Sequence, residues 1–221
     1  MNDALKEPTQ QKKFIAIAGN MGAGKTTMVR YLHSHYGVHP VYEPFMDNPY
    51  LDDFYTDMKR WAFHSQMYFL THKFRLHMEI DNTENQTIVL DRSIYEDAEI
   101  FCRNLHRSKK IPTREFETYM ELYQTMQQAI QPPDLMIYLR CSVRTIKKRI
   151  KQRGRASELD LDTKYIRNLN KLYEEWISNY TLSPVLIWDS DNMDYIADLV
   201  HKIEFHETIQ KVLPPQLGKG V

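Results

Sequence analysis

The stretch AGNMGAGKTT, from Ala18 to Thr27, decides the fold of this chain. Within it, Gly19 to Thr26 fit the pattern G-x-x-x-x-G-K-[ST] at every fixed position. The apolar run FIAIA (Phe14–Ala18) comes directly before the pattern and predicts a buried strand, and a helical pattern follows it. A loop in this context binds phosphate, because its backbone N–H groups and the helix N-terminus favour anions.

The phosphate-binding loop predicts a nucleotide site. We expect Lys25 to reach the terminal phosphates and Thr26 to offer its hydroxyl to Mg²⁺. The residues predicted to surround the phosphates of ATP are Gly19, Asn20, Met21, Gly22, Ala23, Gly24, Lys25, Thr26 and Thr27. Such a loop occurs in switches, in motors and in kinases of small molecules, so the reaction depends on the rest of the chain.

Short apolar runs alternate with longer helical patterns along the chain. The runs are rich in Ile, Val and Leu, which is typical of strands buried on both faces. They are FIAIA, TIVL (Thr87–Leu90), LMIYL (Leu135–Leu139) and VLIW (Val185–Trp188), with VHPVYE around Val41 as a weaker fifth. The helical patterns are Lys25–Tyr36, Lys59–Asn82, Tyr95–Arg107, Thr113–Ile130, Val143–Gln152 and Thr163–Tyr180. This alternation predicts an α/β fold with a five-stranded, mainly parallel sheet flanked by helices.

Composition narrows the function classes. Lys and Arg total 29, and Asp and Glu total 29, so the chain lacks the basic excess of a nucleic-acid or membrane-surface binder. Cys102 and Cys141 are too few for a disulfide framework and indicate buried thiols. The first residues lack the apolar core of a signal peptide, and no apolar run reaches the roughly 18 residues of a membrane span. We therefore expect a cytoplasmic protein with small-molecule partners.

The chain length is that of one domain. We expect a leader over residues 1–13, a single domain over residues 14–213 and a tail over residues 214–221. Within the domain, a lid is expected at about residues 149–160, where the arginine-rich run KKRIKQRGRASE lies.

Two absences separate the candidate classes. GTPase-like switches usually carry an N-K-x-D motif, whereas Asn170 and Lys171 are followed here by Leu-Tyr. Motor ATPases usually have a strand that ends in Asp-Glu, whereas the corresponding run here is VLDRS. Both differences favour a kinase of a small molecule.

The candidate acceptor side lies after the second and third strands. Glu43 follows one strand, and a carboxylate there can take the proton of an attacking hydroxyl, although a lone Glu is more often a surface or capping residue. Asp91 and Arg92 follow the next strand. One of them can bind a metal and the other can neutralise charge near the transferred group, or the two can form a structural ion pair. The arginines of the lid run can stabilise a transferring phosphoryl group, or simply form a solvated helix face.

Taken together and in this order, these motifs resemble the deoxynucleoside kinase family, in particular its bacterial deoxyadenosine, deoxyguanosine and deoxycytidine kinases. The motifs are the phosphate loop, YEP, a Trp five residues before Gln66, DRSIYED, and the R-x-R-x-x-E of the lid. The resemblance runs from about Phe14 to Tyr195. It implies in-line transfer of the γ-phosphoryl group of Mg·ATP to a deoxynucleoside 5′-hydroxyl by a P-loop kinase fold. It also implies a homodimer, with the second and third helical patterns as candidate interface.

On the catalytic side, the resemblance implies that Glu43 is the general base for the 5′-hydroxyl. Arg92 is then the arginine that contacts this carboxylate and the 5′-hydroxyl, and Asp91 is the carboxylate linked to Mg²⁺. The implied residues around the ATP donor are Arg149, Arg153 and Arg155 and, near the adenine, Asp194 and Tyr195.

On the acceptor side, the resemblance implies that Tyr55 and Glu158 grip the sugar 3′-hydroxyl and that Gln66 reads the nucleobase. Phe63 is a candidate for stacking on the base, although an aromatic residue of a helix is more often part of the core. Lys73, where several family members carry Arg, and Asp97 opposite it are also implied to be substrate-binding residues at the base, although Lys lacks the planar fork of Arg.

The expected base preference depends on the hydrogen-bonding groups that each base presents to Gln66 and Asp97. Adenine and cytosine each present an amino donor beside a ring-nitrogen acceptor, so one amide satisfies either, and a flipped amide serves guanine. Asp97 is an additional acceptor for an exocyclic amino group, which disfavours thymine. We expect deoxyadenosine to be preferred, with deoxycytidine or deoxyguanosine also accepted.

Two alternatives remain at this point. A nucleoside monophosphate kinase of the thymidylate type shares the phosphate loop and the Asp-Arg pair, but needs a further cationic site for its acceptor's phosphate. A non-catalytic nucleotide-binding switch uses the same fold, but has no use for the acceptor-side residues.

Overall fold

A five-stranded sheet forms the centre of the molecule, in a computed structural model that describes residues 13–42, 47–84, 86–155, 158, 161–191, 203, 207 and 209. The strands are β1 (Phe14–Ala18), β2 (His39–Val41), β3 (Ile88–Asp91), β4 (Leu135–Arg140) and β5 (Val185–Asp189). They lie in the order β2-β3-β1-β4-β5, and each of the described pairings is parallel. The predicted parallel α/β sheet is therefore confirmed.

Helices connect the strands and cover the sheet. They are α1 (Lys25–Tyr36), α2 (Leu51–Thr56), α3 (Met58–Asp81), α4 (Ile94–Glu96), α5 (Arg103–Arg107), α6 (Thr113–Gln127), α7 (Val143–Arg153) and α8 (Thr163–Ser178). A π-helical segment, Asp97–Cys102, joins α4 to α5. No helix in the described ranges is long and apolar enough to cross a membrane.

Local chemistry explains where the principal helices begin and end. Helix α1 ends at Gly37, which has φ 65° and donates its N–H to the carbonyl of His33 at 3.0 Å. Helix α3 begins after Asp57, whose carboxylate accepts from the N–H groups of Lys59 at 3.1 Å and Arg60 at 3.2 Å. These residues fix the ends of the helices on either side of the site.

The element boundaries follow the sequence pattern closely, with two omissions. Strand β1 and helix α1 have the predicted bounds, whereas the pairing of β2 is confined to His39–Val41. Helix α2 was not predicted because its six residues are too few to show a period. The π-helical segment was not predicted because it continues a helical pattern and differs only in its hydrogen bonds.

Two apolar clusters hold the layers together. The first surrounds the sheet, and the second packs α3 against the segment from α4 to α6. Because all strands are parallel, their carboxyl ends meet at one edge of the sheet, where ligands of open α/β folds bind. The residues directly after β1, β2 and β3 therefore converge at this edge.

Candidate active site

A cavity of about 440 Å³ lies at the carboxyl edge of the sheet. Its walls come from the phosphate loop, α1, α2 and α3, the segment after β3, the predicted lid and α8. Four of the predicted phosphate-site residues line it, namely Met21, Gly22, Lys25 and Thr26. The other members of that prediction, which are Gly19, Asn20, Ala23, Gly24 and Thr27, belong to the same loop and helix start but are not part of the cavity lining.

The phosphate loop is held by its own polar groups. Lys25 is buried, and its Nζ donates to the carbonyls of Gly19 at 2.9 Å and Asn20 at 3.1 Å. The side chain of Asn20 donates to the carbonyl of Ile166 in α8 at 3.1 Å and so ties the loop to that helix. The ammonium group of Lys25 thus sits at the mouth of the loop, where a phosphate can accept its hydrogen bonds instead.

Asp91 and Thr26 meet at the junction of β3 and α1. The Thr26 hydroxyl donates to Asp91 Oδ2 at 2.6 Å, and both residues line the cavity. A hydroxyl and a carboxylate beside a phosphate site are the oxygen ligands that Mg²⁺ takes together with substrate phosphates. The two side chains therefore fit the metal role expected from the sequence.

Arg92 follows β3 in a left-handed backbone conformation, with φ 64°. Its guanidinium carbon lies 4.6 Å from the ring centroid of Phe101, and its Nε lies 3.9 Å from Glu96 Oε1. The side chain is mostly buried and lines the cavity. The turn and these two contacts point a fixed cation at the space where a transferred phosphoryl group would lie.

The predicted base-reading amide is in the cavity wall. Gln66 is 4% exposed, and among the described residues nothing donates a hydrogen bond to its Oε1. Tyr55 and Asp97 line the same cavity, and Phe69 and Phe101 supply its aromatic surface. A buried polar atom without a protein partner is costly unless a ligand satisfies it, so this amide is placed to bind a ligand.

Phe63 and Lys73 occupy other places than the sequence predicted. Phe63 packs against the second apolar cluster and does not line the cavity, since it is rotated by roughly 100° from Ala62 on the buried face of α3. Lys73 is fully buried two helical turns beyond Gln66, and also does not line the cavity. Its Nζ donates to the carbonyl of Arg92 and lies 3.5 Å from that of Asp91, so it contacts the backbone beneath the Asp-Arg pair.

The lid residues are paired with one another. Arg153 donates to Glu158 Oε2, and Arg155 Nη1 lies 3.5 Å from Glu158 Oε1. All three line the cavity, and Glu158 is 3% exposed. Arg153 and Arg155, two of the three predicted phosphate-binding arginines, therefore form one ion cluster with the predicted sugar-binding carboxylate in the cavity wall.

Arg149 belongs to the back of the phosphate loop. Its Nη1 donates to the carbonyl of Ala23 at 3.2 Å, and its Nη2 to the carbonyl of Ser190 at 2.6 Å. It is not among the lining residues of the cavity. It thus braces the loop against the segment after β5.

Three predicted residues, Glu43, Asp194 and Tyr195, lie outside the described residues. Conversely, Glu96 was not predicted from the sequence as a site residue, although it is fully buried between the phosphate loop and the Arg92 turn. The signal available for it was the spacing Ser93-x-x-Glu96, which is typical of a helix capping box. That pattern indicates a helix start and carries no information about contact with a distant loop.

Comparison with known proteins agrees with this geometry. The family described as "Deoxynucleoside kinase" matches residues 15–214. The chain is 36% identical over 191 residues to a deoxyadenosine/deoxycytidine kinase of Bacillus subtilis (strain 168), with 85% of this chain and 87% of that protein covered. The chain belongs to the deoxynucleoside kinase family. It is therefore an ATP-dependent phosphotransferase that acts on deoxynucleosides.

Two further relatives extend the comparison. A deoxyguanosine kinase of Lactobacillus johnsonii (strain CNCM I-12250 / La1 / NCC 533) is 37% identical over 192 residues, covering 83% of this chain and 84% of its own length. The solved structure of deoxyadenosine kinase from M. mycoides with bound dATP is 32% identical, with a TM-score of 0.78 over 90% of this chain and 99% of that one. Relatives of similar identity are thus named for different bases, so overall identity does not indicate the base preference of this chain. The family match also favours a deoxynucleoside kinase over the two alternatives, which are a nucleoside monophosphate kinase of the thymidylate type and a non-catalytic nucleotide-binding switch.

Proposed function

We propose that this chain transfers the γ-phosphoryl group of Mg·ATP to the 5′-hydroxyl of deoxynucleosides, with deoxyadenosine preferred and deoxycytidine or deoxyguanosine also accepted. The observation that carries the base preference is the Gln66 amide, whose buried Oε1 accepts no hydrogen bond from the described residues. An exocyclic amino group is the donor that this oxygen lacks. The amide NH₂ of the same side chain then donates to the adjacent ring nitrogen.

Asp97 supports the same preference. It is 3% exposed and lines the cavity, as Gln66 does. A carboxylate accepts from an exocyclic amino group, which adenine, cytosine and guanine carry and thymine lacks. A site built around such hydrogen bonds rejects a mismatched base strongly, because its own groups would be left unpaired.

The donor half of the mechanism rests on positioning and charge. The phosphate loop and Lys25 hold the ATP phosphates, and Thr26 and Asp91 would hold Mg²⁺, which neutralises charge on the phosphates when bound. Arg92, Arg153 and Arg155 face the same cavity as cations. In-line transfer needs this arrangement more than it needs covalent chemistry from the protein.

The acceptor half rests on Glu43, Tyr55 and Glu158. Glu43, two residues after the end of β2 in the sequence, takes the proton of the attacking 5′-hydroxyl. Tyr55 and Glu158, which line the cavity, bind the sugar 3′-hydroxyl and favour deoxyribose over ribose. Because Glu158 is paired with the lid arginines, substrate binding redistributes these contacts between sugar and phosphate.

We also propose an oligomeric state and a cellular location for the enzyme. A homodimer is expected from the family resemblance, with α3 and the segment from α4 to α5 as the candidate interface. A cytoplasmic location is expected from the low cysteine content. The oligomeric state is checked by light scattering of the purified chain, and a monomer at micromolar concentration would contradict the dimer.

The test of the proposal is ATP-dependent phosphorylation of deoxyadenosine, deoxyguanosine, deoxycytidine, thymidine, adenosine and dTMP by one preparation. We expect the highest kcat/KM with deoxyadenosine, a lower value with deoxycytidine or deoxyguanosine, and values at least tenfold lower with thymidine and adenosine. A ranking led by thymidine would overturn the role of Gln66 and Asp97. Activity with dTMP alone would overturn the acceptor assignment as a whole.

A further inference from the structure

Glu96 is a buried carboxylate that joins three separate parts of the molecule. Its Oε1 accepts from the N–H of Gly19 at 3.1 Å and from the hydroxyl of Tyr173 at 2.8 Å. Its Oε2 accepts from the N–H of Ser93 at 3.0 Å. The side chain has no exposed surface and is not part of the cavity lining, so it does not meet a substrate.

The three partners are placed where the two halves of the site begin. Gly19 is the first residue of the phosphate loop, and Ser93 directly follows Arg92 on the acceptor side. Tyr173 belongs to α8, the helix that follows the lid. One carboxylate thus fixes the start of the phosphate loop relative to the turn that carries Arg92.

The negative charge of Glu96 also acts on Arg92. Arg92 Nε lies 3.9 Å from Glu96 Oε1, and complete burial of the carboxyl raises its pKa. The positive charges of Arg92 and Lys25, together with the Ser93 N–H and the Tyr173 hydroxyl, act in the opposite direction and favour the ionised form. Since Arg92 carries its positive charge into the cavity, its orientation depends on the carboxylate behind it.

We propose that Glu96 is a positioning residue for phosphoryl transfer, which holds the phosphate loop and the Arg92 turn in the mutual register that the reaction needs. A small displacement between donor and acceptor groups lowers the rate of transfer more than it lowers binding, because each half of the site stays intact. The quantity that should change when Glu96 is replaced is therefore kcat at saturating substrates. It rests on the deoxynucleoside kinase activity of the family and is independent of the base preference, so any deoxynucleoside that the wild type phosphorylates serves as acceptor.

The first variant is Glu96→Gln, which keeps the size of the side chain and turns one of its acceptor oxygens into a donor. At least one of the three hydrogen bonds is then lost. We expect kcat to fall at least tenfold, while the KM values for the deoxynucleoside and ATP change by less than about threefold. A purely structural role would instead lower the melting temperature and leave kcat per folded molecule unchanged.

The control is Glu174→Gln in α8, the helix that carries Tyr173. Glu174 accepts from the Tyr138 hydroxyl at 3.0 Å and pairs with Arg140 at 2.7 Å, away from the cavity. It ties α8 to β4 without contact to the phosphate loop. We expect its kcat to stay within twofold of wild type and, because this ion pair is about half exposed, its melting temperature to stay close to that of the wild type.

The second variant is Tyr173→Phe, which removes only the hydroxyl that Glu96 accepts. We expect a fall in kcat of about threefold in the wild-type background and no further fall in the Glu96→Gln background, since the two side chains act as one unit. If Glu96→Gln does not fold, Tyr173→Phe alone decides the matter. A folded Glu96→Gln with kcat within twofold of wild type, or a Tyr173→Phe with unchanged kcat, would overturn the proposal.

Discussion

At the scale of single residues, several polar groups of the site form hydrogen bonds or ion pairs with other groups of the protein. Lys25 donates to carbonyls of its own loop, Thr26 to Asp91, and the lid arginines to Glu158. Each of these bonds uses a group that the mechanism assigns to phosphate, metal or sugar. On the proposed mechanism, ligand binding exchanges these hydrogen bonds within the protein for hydrogen bonds to substrate.

The general base is tested by Glu43→Gln. We expect kcat to fall by about 10²-fold or more, because the 5′-hydroxyl loses the group that takes its proton, while the affinity for ATP is kept. The measurement is steady-state kinetics with calorimetric titration of an ATP analogue. Asp52→Asn, which changes an exposed carboxylate of α2, is the control and should behave as wild type. Near-normal turnover in Glu43→Gln would remove Glu43 as the base.

Residue types and spacings predicted most of the residues that line the cavity, but not which of the buried residues lie beneath it. Gln66 and Lys73 share the buried face of α3, and the sequence treats both as pocket residues. They lie about 10 Å apart along the helix axis, so one reaches the cavity and the other the backbone beneath Arg92. Glu96 was missed for a similar reason, since its partner Gly19 is distant in sequence and adjacent only in the folded sheet.

At the scale of elements, the phosphate loop depends on close packing against α7. Gly22 has φ 72°, and a Cβ atom there would lie 3.2 Å from the carbonyl oxygen of Ile146. That contact is with backbone, so the loop or the helix would have to shift. The glycine is thus required both by its backbone conformation and by the approach of the neighbouring helix.

Gly22→Ala is expected to raise the KM for ATP at least tenfold, because the displaced loop no longer presents its N–H groups to the phosphates. Gly37→Ala is the matched control, since Gly37 has φ 65° but is exposed at the end of α1. Both variants should lose stability of about 1–2 kcal/mol from the left-handed conformation, which thermal unfolding measures. Equal ATP kinetics in the two variants would show that the Ile146 contact does not matter.

At the scale of the whole molecule, the sheet order determines which groups meet. Strand β1 lies between β3 and β4, so the phosphate loop after β1 is next to the Asp-Arg pair after β3. The second apolar cluster sets α3 against the helices after β3, which closes the acceptor side. The alternation of strands and helices in the sequence predicted this architecture, because parallel strands bury both faces and need helical crossovers. The strand order itself follows from tertiary packing.

The central claim is tested most directly by incubating the chain with Mg·ATP, with and without deoxyadenosine, and identifying every product. The account predicts that ATP is consumed only when the nucleoside is present, with one ADP formed for each deoxyadenosine 5′-monophosphate. Consumption of ATP at the same rate without an acceptor, or a product phosphorylated elsewhere than at the 5′-oxygen, would contradict it.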